Sequence, residues 1–143
     1  MVDPVNPIQP IFGPDVPASP TGRSNSPAIR AGDFVFVSAQ SSTGADGQIL
    51  PDTLEAEMHR AFSNIEQILA AASAEMSDIV QLRAYLDDPA DLAEFNRLYP
   101  RFMTRPYPAR TTLTGCLAGV VKFSADVIAY APKAPLAASE EGP

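Results

Sequence analysis

Pro106-Tyr107-Pro108-Ala109-Arg110-Thr111-Thr112 sets an arginine at the mouth of an apolar run, behind an aromatic held between two prolines. Proline fixes φ and pushes its predecessor into an extended conformation. The stretch therefore reads as a stiff, extended approach to a strand. A guanidinium held at such a point is a fork for a carboxylate, because its planar donors meet two oxygens at once. On its chemistry alone, a solvated arginine at a strand end is the simpler reading.

Outward from this stretch the periods define the fold. Arg110 to Leu117 and Val121 to Tyr130 read as two strands joined around Ala118-Gly119. Upstream, Asp88 is a helix N-cap followed by Pro89 at the first helical position. Leu92, Phe95, Tyr99 and Phe102 then form the stripe of a helix. Ile79 to Leu86 is a strand with Val80, Leu82, Ala84 and Leu86 on one face. A longer helix opens with Asp52 as cap and Glu55 answering it. It runs to about Ser73 and buries Leu54, Met58, Phe62, Ile65, Leu69 and Ala72. Phe34 to Val37 is a short buried strand after Gly32-Asp33. Thr43 to Gly47 is a turn-rich loop, and Gln48 to Leu50 forms a short strand beyond it.

The order is strand, strand, helix, strand, helix, strand, strand. Two helices cover only one face of a single sheet, so the class is α+β: one mixed sheet with two helices packed on one face. The other face needs cover from elsewhere, which points to an oligomer. Residues 1–24 carry six prolines and no apolar period. They read as an extended arm, unfit for a helix or a central strand, with Ile8, Ile11 and Phe12 as candidate anchors. Residues 25–131 form the domain. Residues 132–143 are small, acidic and proline-containing, a flexible tail.

Composition narrows the function. The chain has 143 residues and a net charge of −7. Nucleic acid and anionic membranes are poor partners for that charge, whereas a small anion remains compatible if one arginine sets the local potential. No run is long and apolar enough to span a bilayer, and no basic-then-apolar leader opens the chain. One cysteine forms no internal disulfide, which fits a reducing, cytoplasmic setting. His59 and Cys116 lack partners at ligand spacing, so no metal or other cofactor is expected. His59 reads as a helix-surface or interface residue and Cys116 as a small core residue. Neither a nucleophile elbow nor a phosphate-cradling glycine pattern is present.

Four stretches, in order, resemble the RidA (YjgF) family: Ser26-Pro27-Ala28-Ile29-Arg30-Ala31-Gly32-Asp33 with Phe34 to Gln40; Asn96 to Phe102; Pro108-Ala109-Arg110-Thr111; and Asp126 to Tyr130. The resemblance implies a chorismate-mutase-like RidA fold and a homotrimer with active sites in intersubunit clefts. It also implies a hydrolytic deaminase of reactive enamines or imines bearing a carboxylate, such as a 2-imino acid or a 2-aminomuconate-like compound, yielding ammonia and a keto product. By that resemblance Arg110 clamps the carboxylate and Ser38, Ala39 and Gln40 line the opposite wall. The Thr111 N–H is a plausible second donor, and Tyr107 packs over the site or supports Arg110. Asn96 steadies a helix end or interface, and Arg101 and Arg105 are solvated charges.

The chain departs from the family pattern at three places. Thr112 stands where a cysteine is usual, Ser124 where an acid is usual, and Asn25 where an aromatic is usual. Thr112 and Ser124 can orient a water but not act as a carboxylate base. Strand alternation sets Lys122, Ser124 and Asp126 on one face, so Asp126 is either a substitute acid–base group or a structural partner of Lys122. A non-catalytic trimeric binding protein for a small carboxylate is the alternative function. A protein-interaction module using the proline-rich arm is a third.

Overall fold

A computed structural model describes residues 6–12 and 24–133. The elements, in chain order, are β1 (Ile8–Ile11), β2 (Ala28–Ala31), β3 (Phe34–Ser41), α1 (Leu54–Ala71), β4 (Ile79–Leu86), α2 (Leu92–Leu98), β5 (Ala109–Thr114) and β6 (Phe123–Tyr130). They form one six-stranded sheet in the order β1-β2-β3-β6-β4-β5. Among the described strands only β4 and β5 pair in parallel. A parallel pair needs a crossover, and α2 supplies it. The α+β expectation of a mixed sheet with two helices on one face holds.

The helix stripe read from the sequence is the core. Leu54, Met58, Phe62, Ile65, Leu69 and Ala72 are all buried, against Val35, Val37, Leu82, Ala84, Leu86, Phe123, Ala125 and Val127 from the sheet. Phe62 lies between Phe102 and Phe123, with ring centroids 4.8 and 5.4 Å away. The start of α1 differs from the expected Asp52–Glu55 pair. Thr53 is the cap, its hydroxyl accepting from the Ala56 N–H at 3.2 Å. Asp52 instead accepts from the Thr53 N–H and pairs with Arg60 at 3.0 Å.

Glu57, fully buried, reaches back from the first turn of α1. Its Oε2 accepts from the Asp52 N–H at 3.0 Å and its Oε1 from the Lys122 N–H at 2.8 Å. It thus ties the start of α1 to the loop before β6. Both carboxylate oxygens find charge-assisted partners, which is what allows burial of the charge.

Other boundaries moved for local reasons. A bulge between Ile79 and Gln81 turns Val80 outward, 45% exposed, so it does not share the buried face of Leu82, Ala84 and Leu86. Gly115 takes φ +72°, a left-handed conformation that glycine adopts without a Cβ penalty, and it ends β5 at Thr114. Cys116 therefore leaves the strand and is exposed, not a core residue. Gln48 to Leu50 contribute only an isolated bridge, Thr43 with Ile49. Within the expected arm, Ile8–Ile11 pairs antiparallel with β2 and forms an edge strand, so the sheet begins ahead of residue 25. Pro10 is tolerated there because an edge strand has one unpaired side. Of the expected tail at residues 132–143, residues 134–143 lie outside the described residues.

Away from the helices, the sheet presents apolar side chains. Phe34, Phe36, Leu113 and Tyr130 are 41–47% exposed, and the Phe34 and Tyr130 rings lie 5.3 Å apart. Among the described residues no helix is long and apolar enough to cross a membrane.

Candidate active site

Arg110 sits on β5, at the sheet edge. In the parallel register it lies beside Leu82, and Thr112 lies beside Ala84. Leu82 and Ala84 are core residues, so Arg110 and Thr112 face the helices. There α2 and the turn after it build a seat for the guanidinium. Arg110 Nη2 donates to Asn96 Oδ1 at 3.0 Å. Its Cζ lies 4.7 Å from the Tyr99 ring centroid and 5.2 Å from that of Phe95. Cations are attracted to aromatic faces, and two faces plus one amide oxygen fix the plane of the fork. Among the described residues no carboxylate pairs with Arg110. Its remaining donors are open to an external one.

On the same two elements, two hydroxyls are buried without a hydrogen-bond partner among the described residues: Tyr99 Oη and Thr112 Oγ1. Burial raises the Tyr99 pKa above the ordinary tyrosine value, against the opposing pull of Arg110. Tyr107 packs 6.3 Å from Tyr99, one ring removed from Arg110, and carries the Arg105 guanidinium over its face at 5.0 Å. Tyr107 thus supports Arg110 only through Tyr99. Asn96 and Tyr99 were the residues whose part at this site the sequence did not disclose. The helical spacing of Asn96 and Tyr99 was the available signal, but nothing in it brings them to Arg110.

The remaining candidates lie elsewhere in the protomer. Ser38, Ala39 and Gln40 line a cavity of about 360 Å³ together with Ser41, Cys116, Leu117 and neighbouring residues. Two strands, β6 and β4, separate β3 from β5. At the usual strand spacing that sets the two groups roughly 14 Å apart across the sheet. Ser124 and Asp126 face away from the helices, alternating with the core residues Ala125 and Val127. The buried Ser124 hydroxyl donates to the Gln40 carbonyl at 3.1 Å and accepts from Ser41 at 3.1 Å. Asp126 accepts from Arg83 Nε at 2.9 Å and from the Tyr85 hydroxyl at 2.6 Å. Burial and the bond to Asp126 raise the Tyr85 pKa. Lys122 is not its partner. It precedes β6 and points to Glu57 and the Asp52 carbonyl. Thr111 pairs in register with Arg83 and faces away from the helices, opposite to Arg110.

No group of three or more His, Cys, Asp or Glu is placed to hold a metal among the described residues. His59 packs its ring edge-on against Phe102 at 4.8 Å.

The family model described as Endoribonuclease L-PSP matches residues 17–130. The mitochondrial protein Mmf1 of Saccharomyces cerevisiae is 31% identical over 94 residues, 66% of this chain and 65% of that protein. Its crystal structure superposes with a TM-score of 0.79 at 28% identity, covering 88% of this chain and 99% of the other. The RutC family protein YjgH of Escherichia coli is 33% identical over 110 residues, 76% of this chain and 83% of its own. A 2-iminobutanoate/2-iminopropanoate deaminase of Dermatophagoides farinae is 27% identical over 89 residues, 62% of this chain and 70% of its own. With the matching fold and the Pro-Ala-Arg-Thr stretch at its edge strand, the chain belongs to the Endoribonuclease L-PSP family, the family also called RidA or YjgF.

Proposed function

We propose that this protein is a hydrolytic deaminase of carboxylated imines or enamines, releasing ammonia and a keto product. The observation that carries the reading is Arg110: a guanidinium held by an amide and two aromatic faces, with no acidic partner among the described residues, in a chain of net charge −7. An acidic protein that leaves such a fork open has a place for one external carboxylate. The similarity to a named 2-iminobutanoate/2-iminopropanoate deaminase supports the same chemistry. Thr112 and Ser124, where the family usually has a cysteine and an acid, favour a substrate other than the simplest 2-imino acids. A 2-aminomuconate-like dicarboxylate is the leading candidate.

The working unit of this reading is a homotrimer. Arg110 of one protomer faces the Ser38–Gln40 cavity of its neighbour, which reunites two halves that one protomer holds apart. The exposed Phe34, Phe36, Leu113 and Tyr130 supply an apolar surface for that contact. RNA cleavage, suggested by the family description, has less support. The net charge is −7, and the single histidine packs its ring on Phe102. A cytoplasmic location accords with the single cysteine.

A specific observation favours a second reading, a trimeric protein that binds a small carboxylate without turnover. The two side chains nearest to an acid–base role, Ser124 and Asp126, are both engaged by protein partners. Ammonia release from freshly generated carboxylated imines separates the two. The deaminase reading requires wild type to exceed the spontaneous rate and Arg110→Ala, folded and trimeric, to fall far below it. Binding without turnover selects the second reading.

A further inference from the structure

The cavity beside Ser38 and Gln40 has no Asp, Glu, Lys, Arg or His among the described residues of its wall. The direction of its hydrogen bonds therefore decides what it can receive. A serine hydroxyl has one proton to give and lone pairs to offer. Ser38 gives its proton to the Ser26 carbonyl at 2.6 Å. Ser41 gives its proton to Ser124 Oγ at 3.1 Å, and Ser124 gives its own to the Gln40 carbonyl at 3.1 Å. A carbonyl only accepts, so the order of this chain is set from its far end. Ser41 is left with lone pairs and no proton. The amides of Asn25 and Gln40 can both donate and accept; the two serines of the wall cannot.

Ser41 is also within reach of a ligand. It is half-buried and stands in the wall of the cavity, whereas Ser124 is 5% exposed and is not part of that wall. The cavity volume, about 360 Å³, falls in the range of small-molecule sites. A ligand atom that only accepts, such as a carboxylate or keto oxygen, meets Ser41 lone pair to lone pair. A nitrogen that carries a proton meets a partner.

We propose that Ser41 Oγ accepts from the imine N–H of the substrate, so that this cavity takes the nitrogen end while Arg110 takes the carboxylate. This rests on the deaminase reading. The nitrogen of an imine carries a proton and gains more before it leaves as ammonia, so it has one to give throughout. The keto product has none at that position. Ser41 therefore holds the substrate and the departing nitrogen and does not hold the ketone. Donating to Ser124 makes Ser41 Oγ a better acceptor, because chained hydrogen bonds polarise one another. Ser124 acts through Ser41 and is a positioning residue. Its hydroxyl fixes the direction of the Ser41 hydroxyl and transfers no proton in the reaction.

The test uses the full chain and two planar probes of similar size, oxamate and pyruvate. Both carry a carboxylate and a carbonyl, and oxamate has an N–H donor group where pyruvate has a methyl. Calorimetric titration of wild type should show oxamate bound roughly five- to tenfold more tightly than pyruvate. Ser41→Ala should bring that ratio close to one. Ser124→Ala frees the Ser41 proton to turn into the cavity, so pyruvate should gain and the ratio should fall. Ser124→Thr keeps the hydroxyl and should keep the ratio. In the ammonia-release assay on 2-iminopropanoate generated in place, Ser41→Ala should lose roughly tenfold in kcat/KM. Equal affinities for the two probes in wild type, no oxamate binding, or a ratio unchanged in Ser41→Ala overturns the proposal. Wild type without turnover on any carboxylated imine sinks the deaminase reading. The titration ratio then decides the acceptor role of Ser41 by itself.

Discussion

Asn96 and the rings of Tyr99 and Phe95 hold the Arg110 guanidinium. Asn96 and Arg110 are 14 residues apart, on different elements, and only the β4–α2–β5 crossover brings them together. Arg110→Ala removes a charge-assisted, two-pronged contact and is expected to lose about 2–5 kcal/mol of transition-state binding, read from kcat/KM for ammonia release. Arg110→Lys should rescue little, since an ammonium is a point charge without parallel donors. Asn96→Ala frees one edge of the guanidinium, so KM should rise several-fold with kcat nearly kept. A KM unchanged in Asn96→Ala would mean that the aromatic faces alone orient the fork. Asp126 shows the reverse case. Strand alternation correctly set it on the face of Ser124, yet its partners came from β4, a neighbour that alternation cannot name.

At the scale of elements, Glu57 joins the start of α1 to the loop before β6. Glu57→Gln replaces one acceptor oxygen by an amide that cannot accept from a backbone N–H. A loss of about 1–3 kcal/mol in urea denaturation is expected, because a buried donor loses its partner. Since the same loop carries Cys116, Leu117, Val120 and Val121 into the cavity wall, a folded Glu57→Gln should also show altered substrate preference. A stability equal to wild type would mean the loop is held by its other contacts. The edge strand β1 is a second case. Removing residues 1–12 deletes its ladder with β2 and is expected to cost roughly 1–3 kcal/mol without abolishing the fold, since the core lies mainly between α1 and the inner strands. Failure of the truncated chain to fold would make the arm part of the core. Its proline count argued against a central strand, and β1 is indeed at the edge. Its pairing with β2 depended on where the first hairpin lies, which local composition does not encode.

For the whole molecule, the decisive features are the exposed apolar face and the separation of Arg110 from the Ser38–Gln40 wall. If clefts form between protomers, Phe36→Asp should place a charge in the contact. A monomer in sedimentation velocity, with secondary structure kept by circular dichroism and ammonia release lost, is the expected result. A trimer unchanged by Phe36→Asp would move the interface elsewhere. A mixing experiment tests the shared site directly. Arg110→Ala spoils one half and Ala39→Trp fills the other. Each should be inactive alone, and co-refolded mixtures should regain activity, because some clefts then take an intact half from each protomer. No recovery would place both halves of the site within one protomer or disconnect one of them from catalysis.

Local chemistry was enough for the fold class, the stripe of α1 and the arginine at the edge strand, whereas in α2 Leu92 is exposed and Leu98 is buried in its place. Apolar periods of helix and strand record which face of each element is buried, and prolines around Tyr107 record backbone restriction in the residues themselves. Tertiary structure decided what depends on neighbours remote in the chain. It turned Val80 outward through a bulge, brought Cys116 out of the core after Gly115, and shifted the α1 cap to Thr53. It gave Asp126 to Arg83 and Tyr85, and it seated Arg110 on Phe95, Asn96 and Tyr99. Each of these depends on register and crossover geometry. A shift of one residue in pairing reverses every side chain's face, and no local pattern carries the identity of the strand or helix alongside.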